Sequence, residues 1–178
     1  SHPERICELC VSMLGVTGAG VSMVSNTGNR GVVCATDDVA AEIERLQFTL
    51  GVGPCVDAVH RGAPVLIPDL EEPGDVAVER WPAFMEAAAQ AGVRALFAFP
   101  LRVGAVTVGA IDLYRDRAGE LDSEQLGGAL MAAEAAATGV AYNATTSSPP
   151  PTESLFTSQT PATGDNSVVY SDVNGVAT

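Results

Sequence analysis

Chemically versatile side chains are concentrated in one stretch of the sequence, LGVGPCVDAVH at positions 50–60. A thiol at Cys55, a carboxylate at Asp57 and an imidazole at His60 follow a turn-forming Gly-Pro pair. Proline suits the first turn of a helix, and a thiol in that turn has a lowered pKa because free N–H groups and the helix dipole stabilise the thiolate. A cysteine-dependent catalytic centre is the first hypothesis that these residues raise.

The spacing of Cys55 and His60 argues against that hypothesis. Their separation along the chain places them about 140° apart around a helix, which is a poor arrangement for proton exchange. A Cys–His pair also needs an oxyanion hole and a third orienting group, and the sequence offers no candidate for either. We therefore predict that the chain is not an enzyme. On this interpretation Gly53 sets a turn, Cys55 is a small packing residue and Asp57 caps the helix.

A ligand pocket is a further interpretation of the same stretch, because the start of a helix offers free N–H groups to an anionic group. Small molecules prefer apolar cavities with aromatic linings. The sequence supplies Trp81, Phe84, Phe97 and Phe99 for such a lining, although they could equally be ordinary core. The candidate ligand-binding residues are Gly53, Cys55, Asp57, Trp81, Phe97, Phe99 and Asp112.

Asp112 is a candidate because of its neighbours in the sequence. It lies in the strand-like run AIDLY (110–114), where a carboxylate needs a hydrogen bond or a nearby cation. Arg94 and Arg102, on the neighbouring predicted strand, are its expected partners. The pairing is purely structural on one interpretation and is a polar contact inside a pocket on the other.

The four cysteines, Cys7, Cys10, Cys34 and Cys55, indicate core packing. Disulfides are disfavoured in the cytoplasm, and a closed zinc site requires four ligands, for which His60 is the only well-placed addition. Haem ligation by a lone histidine and attachment of a bilin through a cysteine lack supporting neighbours. We therefore predict no metal site and no cofactor.

Composition argues against several classes of function. The chain has 178 residues with 22 acidic and 9 basic side chains, a net charge of −13. Binding of nucleic acid phosphates requires a clustered basic patch, and the scattered arginines predict no direct contact with nucleic acid. Apolar runs fall short of the ~20 residues of a membrane span, and the N-terminus lacks a signal-peptide pattern. These features predict a cytoplasmic protein without membrane contact.

Hydrophobic periodicity predicts the order α-β-β-α-α-β-α-β-β-α over residues 1–142. The most pronounced strand pattern is the hairpin at 93–115, whose strands are apolar on both sides. We predict an α+β domain with a central antiparallel sheet of five or six strands and helices on both faces. The Ser/Thr/Pro-rich tail at 143–178 is predicted to be weakly ordered.

These motifs resemble those of the GAF domain, a small-molecule sensor module built on an antiparallel sheet. The resemblance covers nearly all of the predicted folded part. It is carried by GAGVSMV (18–24), LQFTLGVGPCVDAVHRGAPVLIPDL (46–70), RWPAF (80–84) and the second hairpin with its following acidic helix cap (92–126).

The stretch LQFTLGVGPCVDAV (46–59) further resembles the actinobacterial GAF domains that precede an RNA-binding ANTAR antitermination module. Val52 stands where that subgroup commonly has an acid, and no ANTAR-like segment follows residue 142. The subgroup implies a role in transcription regulation, with the output module lost or on another chain.

The resemblance to the GAF domain implies a non-enzymatic regulatory sensor. Such a sensor binds a small molecule between the sheet and a helical segment and signals through a homodimer. The helices predicted at 4–14 and 123–142 would form the dimer interface. Two alternatives remain open: a protein–protein interaction module without a ligand, and a thiol-based redox sensor or methionine sulfoxide reductase that uses Cys55.

Overall fold

The centre of the domain is an antiparallel β-sheet. The computed structural model describes residues 2–24, 30–72, 74 and 79–147. The strands are β1 (Gly18–Val24), β2 (Arg30–Ala35), β3 (Val65–Ile67), β4 (Ala95–Val103) and β5 (Val106–Arg115). They form one five-stranded sheet with the order β2-β1-β5-β4-β3. The predicted α+β class with a central antiparallel sheet is confirmed, with five strands in the described part of the chain.

The helices follow the predicted order between these strands. They are α1 (Pro3–Leu14), α2 (Asp38–Leu50), α3 (Pro54–Arg61), α4 (Pro82–Gln90) and α5 (Ser123–Ser147). Helix α5 thus continues beyond its predicted end near Tyr142. Residues 1–144 form one compact unit. The connection predicted between the first two strands, at 26–29, and the predicted tail from residue 148 onwards lie outside the described residues.

Local sequence signals explain how α3 comes to lie beside α2. Asp37 caps α2, where its Oδ1 accepts a hydrogen bond from the backbone N of Ala40 at 2.7 Å. Gly51 ends the helix in a left-handed conformation, with φ at 68°, which glycine adopts without steric cost. Gly53 and Pro54 then start α3 at once, so the beginning of α3 lies against the last turns of α2.

Successive side chains of each strand point to opposite sides of the sheet, and both faces of the sheet are buried. Helices α1 and α5 cover what we call the terminal-helix face, whose sheet residues include Phe97, Phe99, Leu101, Ile111 and Leu113. Helices α2, α3 and α4 cover the opposite side, the central-helix face, whose sheet residues include Leu96, Ala98, Ala110 and Tyr114. Both faces are therefore covered, as the apolar pattern of the second hairpin predicts.

The face that helix α2 buries only partly agrees with the face that its apolar spacing predicts. The spacing of Val39, Ile43, Leu46 and Leu50 predicts one buried apolar stripe, but Leu50 is 39% exposed. The residues that α2 buries are Ala40, Ile43, Glu44 and Gln47. The physical reason lies in the opposing sheet, where a glycine and an aspartate offer space and a polar partner to these two long polar side chains.

Candidate functional site

Two polar side chains of α2 point into the domain instead of into solvent. Glu44 is 3% exposed and Gln47 is 1% exposed. They lie three positions apart, so they share one face of the helix, the one directed at the sheet. Long polar residues are rarely buried without partners, and these two therefore mark a polar centre beneath α2.

The sheet accommodates Glu44 and Gln47 at Asp112 of β5. In the register, Asp112 is opposite Gly20 of β1 on one side and Ala98 of β4 on the other. A Cβ atom at position 20 would come within 3.0 Å of Glu44 Oε1. The small residues on both sides of Asp112 thus leave the room in which two carboxyl groups meet.

Gln47 connects this carboxyl group to the start of α3. Its Nε2 donates a hydrogen bond to Asp112 Oδ2 at 2.9 Å, and its Oε1 accepts one from the backbone N of Cys55 at 2.7 Å. A Cβ at Gly53 would lie 2.5 Å from the same Oε1. One amide group therefore holds the sheet aspartate and the first turn of α3 in a fixed relation.

The side chains of Glu44, Cys55 and Asp112 converge on one buried point, which we call the acid–thiol cluster. One potential ligand atom of each residue lies within 4.8 Å of the corresponding atoms of the other two. Among the described residues, Glu44 Oε1 and Asp112 Oδ1 have no hydrogen-bond partner. The cluster thus combines two carboxyl groups and a thiol, and the two carboxyl groups are close enough to share a hydrogen bond when one of them is protonated.

Burial controls the protonation of the two acids. Desolvation, followed by the nearby charge of Asp112, raises the pKa of Glu44 well above its ordinary value. Desolvation likewise raises the pKa of Asp112, while hydrogen bonds from its neighbours act in the opposite direction. A carboxylate in a low-dielectric site favours its neutral form unless a positive charge balances it.

The two arginines expected to supply that positive charge do not contact Asp112. Arg94 and Arg102, the partners expected for Asp112, lie elsewhere. Arg94 pairs with Asp69 and Glu71 at 3.5 and 3.3 Å, and Arg102 Nη1 donates to the carbonyl O of Gly62 at 3.4 Å. The expectation of an arginine partner is therefore wrong, because Arg94 precedes β4 and Arg102 lies beyond an irregularity of the β4–β5 register.

A small cavity adjoins the acid–thiol cluster. Its volume is about 10 Å³, which is about the room that one water molecule needs. Val32 and Phe48 belong to its lining and are 50% and 58% exposed, so the cavity lies next to the surface. The full lining is Ser22, Gly31, Val32, Glu44, Gln47, Phe48 and Cys55.

The structure brings only part of the predicted ligand-binding set together. Gly53, Cys55 and Asp112 meet at the cluster, as described above. Asp57 forms an ion pair with Arg80 at 2.6 Å on the outer part of α3, and His60 is exposed. Asp57 is therefore not part of the cluster.

The predicted aromatic lining is divided between the two faces of the sheet. Trp81 packs in the apolar cluster of α2 and α4 on the central-helix face. Phe97 and Phe99 pack with α1 and α5 on the terminal-helix face. Because successive side chains of a strand point to opposite faces, Phe97 and Phe99 cannot line a pocket that also contains Asp112.

The start of α3 is also a poor anion site. The N–H of Cys55 already donates to Gln47, and the adjacent groups are carboxyls, which repel an anion. The interpretation of this helix start as a wall that presents free N–H groups to an anionic ligand is therefore not supported at Cys55. A positively charged guest matches the surroundings better.

Glu44 and Gln47 were missed by the sequence analysis. The apolar stripe through Val39, Ile43, Leu46 and Leu50 predicts that a neighbouring face of α2 is the buried one. The buried positions Ala40, Glu44 and Gln47 also follow a helical spacing. Two polar residues on such a stripe, close in sequence to a Gly-Pro-Cys helix start, are the signal that could have revealed the cluster.

A second feature lies on the outside of the terminal helices. A groove of about 440 Å³ runs between α1 and α5 and is lined largely by apolar residues. Met13 is 75% exposed and Met131 is 72% exposed, and Leu9 beside them is 47% exposed. Large exposed apolar patches mark interaction surfaces. We call this feature the terminal-helix groove.

None of the four cysteines forms a disulfide bond, and two of them are neighbours in space. The Sγ atoms of Cys7 in α1 and Cys34 in β2 lie 3.3 Å apart. Burial raises the pKa of nearby Cys10 to about 11, which keeps that thiol protonated and unreactive at neutral pH. Within the described parts of the chain, no helix is long and apolar enough to span a membrane.

The architecture defines a class of small α+β domains, in which terminal helices cover one side of an antiparallel sheet and central helices enclose a polar centre on the other. Residues 4–141 match the family model of the GAF domain, and the chain belongs to this family. No curated protein matches the chain at a significant level.

Solved structures of low sequence identity share the fold. A domain assigned to a two-component sensor histidine kinase of Sinorhizobium meliloti has a TM-score of 0.61 at 16% identity, with 81% of this chain and 90% of that chain covered. The type II free methionine-R-sulfoxide reductase of Thermoplasma acidophilum has a TM-score of 0.60 at 16% identity, with 78% and 89% covered. Residues 122 to 287 of a methyl-accepting chemotaxis protein have a TM-score of 0.60 at 13% identity, with 82% and 90% covered.

Proposed function

We propose that the chain is a non-enzymatic sensory domain that binds a small positively charged ligand at the acid–thiol cluster and signals through a homodimer. The observation that carries the proposal is the unbalanced pair of buried acids. Glu44 and Asp112 are each 3% exposed, each has an oxygen without a described partner, and they lie beside a cavity close to the surface.

The sheet separates the proposed ligand site from the proposed output surface. The acid–thiol cluster lies on the central-helix face, whereas α1 and α5 cover the opposite face. Strands β1 and β5 run between the two, because their alternate residues contribute to both faces. A ligand that changes the position of β5 at Asp112 would therefore act on the residues that support α1 and α5.

A second copy of this chain is the proposed occupant of the terminal-helix groove. Met13 and Met131 protrude from it, while Gly128, Ala132 and Ala135 provide a smooth, small-residue floor in the same groove. A surface that contains both protruding side chains and small-residue recesses is complementary to itself, as the two-fold interface of a homodimer requires.

The output of such a dimer would pass to another domain or partner. The resemblance of LQFTLGVGPCVDAV (46–59) to actinobacterial GAF domains that precede ANTAR modules supports a role in transcription regulation in the cytoplasm. The chain itself has a net charge of −13, which disfavours direct contact with nucleic acid.

Two alternative functions have specific support. The small volume of the cavity, about 10 Å³, favours an interaction module that binds no organic ligand. The position of the Cys55 thiol beside two carboxyl groups favours a thiol-based redox function, in which a sulfoxide passes its oxygen to the thiol: the S=O bond breaks, Cys55 is oxidised to a sulfenic acid, and the sulfoxide is reduced to a thioether that leaves. Reactive thiols lie in partly exposed, electropositive surroundings, whereas Cys55 is 5% exposed, so we rank this function last.

The proposal is tested by thermal unfolding of the full chain with three probes: Zn²⁺, the diamine putrescine and the anion cyclic AMP. We expect a cationic probe to raise the Tm and to shift the monomer–dimer equilibrium in sedimentation, because ligands that bind the native state stabilise it. Asp112→Asn should strongly reduce the response. An equal response of wild type and Asp112→Asn, or a response to cyclic AMP alone, contradicts the proposal.

A further inference from the structure

We propose that Glu44, Cys55 and Asp112 bind a divalent cation that accepts a thiolate ligand, with Zn²⁺ as the representative ion. The inference names the ligand of the sensory site and in that respect rests on the proposed function. Its geometric basis is the convergence of one oxygen or sulfur atom from each residue within 4.8 Å, with all three residues buried.

The charge of the two buried acids favours a divalent cation. Two carboxylates in a water-poor interior carry a large desolvation cost unless protons or a cation balance them. Glu44 Oε1 and Asp112 Oδ1 are buried without a partner among the described residues, and Arg45, Arg80 and Arg94 form ion pairs with other acids. A divalent cation neutralises both acids and occupies both open oxygen atoms.

The volume of the cavity favours a metal ion over an organic cation. The adjoining cavity of about 10 Å³ has room for roughly one water-sized guest. An organic ammonium or guanidinium compound needs several times this volume, so it would have to displace α2 or Phe48. A metal ion requires only that the three side chains close around it, and the cavity then holds one water molecule as a further ligand.

The nature of the donor atoms selects the kind of ion. Mg²⁺ and Ca²⁺ take oxygen ligands, whereas Zn²⁺ accepts thiolate, imidazole and carboxylate in tetrahedral sites. Three protein ligands and one water form the open type of zinc site. On binding, a metal–sulfur bond replaces the S–H bond of Cys55, and the proton leaves to solvent with any proton held by the acids. No oxidation state changes.

The surroundings hold the donor atoms in place. Gln47 fixes Asp112 through one hydrogen bond and the backbone of Cys55 through another, which is the role of the groups that orient metal ligands. Gly20 and Gly53 leave the space that Glu44 and Gln47 occupy. The site is therefore positioned by residues that are themselves fixed.

Cobalt spectroscopy of the full wild-type chain tests the inference directly. The protein is reduced, treated with a chelator, desalted and titrated with Co²⁺. We expect a near-ultraviolet thiolate-to-cobalt absorption band that saturates at one equivalent, that Zn²⁺ removes and that Mg²⁺ does not. Absence of the band overturns the inference without any need for a variant.

Matched variants assign the band to the cluster. Cys55→Ala should abolish it, and Asp112→Asn should weaken Zn²⁺ binding by about 10-fold or more, since even indirect contacts to a metal contribute this much. Cys10→Ala removes a buried thiol elsewhere and should leave the band intact. A band that persists in Cys55→Ala and disappears in Cys10→Ala places the metal at the other cysteines and overturns the inference.

The same samples distinguish the inference from the proposed function. Cobalt binding with no change in the sedimentation of the dimer supports the metal site and contradicts signalling through it. A Tm shift and dimer response with putrescine, in a chain that gives no cobalt band, supports the sensory function and contradicts the metal site.

Discussion

Gln47 Nε2 lies 2.9 Å from Asp112 Oδ2, and this hydrogen bond joins α2 to the middle of the sheet. The other end of the same amide accepts the N–H of Cys55. Three elements that are distant in sequence are thus connected through one side chain that is 1% exposed. This connection fixes the position of Asp112 relative to the start of α3.

Replacement of Gln47 by methionine preserves its length and removes both hydrogen bonds. The carboxyl of Asp112 and the N–H of Cys55 then remain buried with one partner fewer, and we expect the free energy of unfolding to fall by about 2–5 kcal/mol. Urea denaturation measures the change. Thr49→Ala, on the exposed side of the same helix, is the control and should be nearly neutral; equal losses in both variants contradict this role of Gln47.

The stability of the metal-free protein should depend on pH through Glu44. Its pKa in the folded state is well above the ordinary value of 4.5, so folding takes up a proton between these two values. The free energy of unfolding therefore falls as the pH rises through this window. In chelator-treated protein, we expect Glu44→Gln to gain stability relative to wild type between about pH 5 and about pH 8.

Urea denaturation at both pH values checks this expectation. Comparison of the two proteins removes the contribution of all groups that they share. If the stability curves of wild type and Glu44→Gln run parallel, Glu44 does not titrate differently in the folded and unfolded states, and the expectation that the folded protein raises its pKa is wrong.

Gly53→Ala should damage the cluster more than its backbone strain alone predicts. Gly53 has φ at 146°, and an added Cβ would lie 2.5 Å from Gln47 Oε1. Gly92 also has a positive φ, of 91°, but has nothing within 4 Å of the added Cβ. Strain in such conformations costs roughly 1–3 kcal/mol, so Gly92→Ala isolates this contribution.

We expect Gly53→Ala to lower the Tm further than Gly92→Ala and to weaken the cobalt band, while Gly92→Ala leaves the band unchanged. Thermal unfolding and the cobalt titration together measure both effects. Identical behaviour of the two variants would show that the contact between Gly53 and Gln47 does not position the cluster.

The sequence predicted the layers of the fold but not the location of the cluster. Apolar alternation in the second hairpin indicates a sheet covered on both faces, and turn residues such as Gly51 and Pro54 locate the helix boundaries. The partner of Asp112 could not be found in this way. It depends on the register that places Gly20 beside Asp112 and on a buried polar stripe of α2, and both are long-range properties of the packed domain.

The aromatic residues show the same limit of prediction from sequence. Trp81, Phe97 and Phe99 have the composition of a ligand pocket, yet they belong to different apolar clusters. Side chains alternate between the two faces along a strand, so the face of each residue is a local property. Which helix covers that face depends on the order of the strands in the sheet. Composition alone therefore could not separate pocket residues from core.

Oxidation should join α1 to β2 through Cys7 and Cys34, whose Sγ atoms are 3.3 Å apart. The oxidant diamide takes two electrons and two protons from the thiols, and one S–S bond replaces two S–H bonds. The bond would close a loop spanning 27 positions, and chain-entropy arguments give a stabilisation of about 3.5 kcal/mol.

Mass spectrometry of peptides after diamide treatment identifies the bond, and thermal unfolding measures its effect. Cys34→Ser should prevent the rise in Tm, whereas Cys10→Ser should not, because the sulfur atom beside Cys7 Sγ is that of Cys34. Formation of a Cys7–Cys10 bond in place of Cys7–Cys34 would contradict the expectation.

Dimerisation should depend on the terminal-helix groove. Met131→Glu places a charge among Leu9, Met13 and the small residues of α5, and burial of an unpaired carboxylate in an interface is unfavourable by several kcal/mol. We expect this variant to sediment as a monomer at concentrations where the wild type is a dimer. Val106→Glu is the matched control, because Val106 is 57% exposed at the tip of the second hairpin, away from the groove.

Retention of the dimer in Met131→Glu, or its loss in both variants, would exclude the groove as the interface. The result also bears on signalling. If Met131→Glu is monomeric and still gives the full cobalt band, the ligand site is complete within one chain and the dimer serves only the output. If the band is lost together with the dimer, the two faces of the sheet are coupled, and the sheet residues that α5 covers connect Met131 to the cluster.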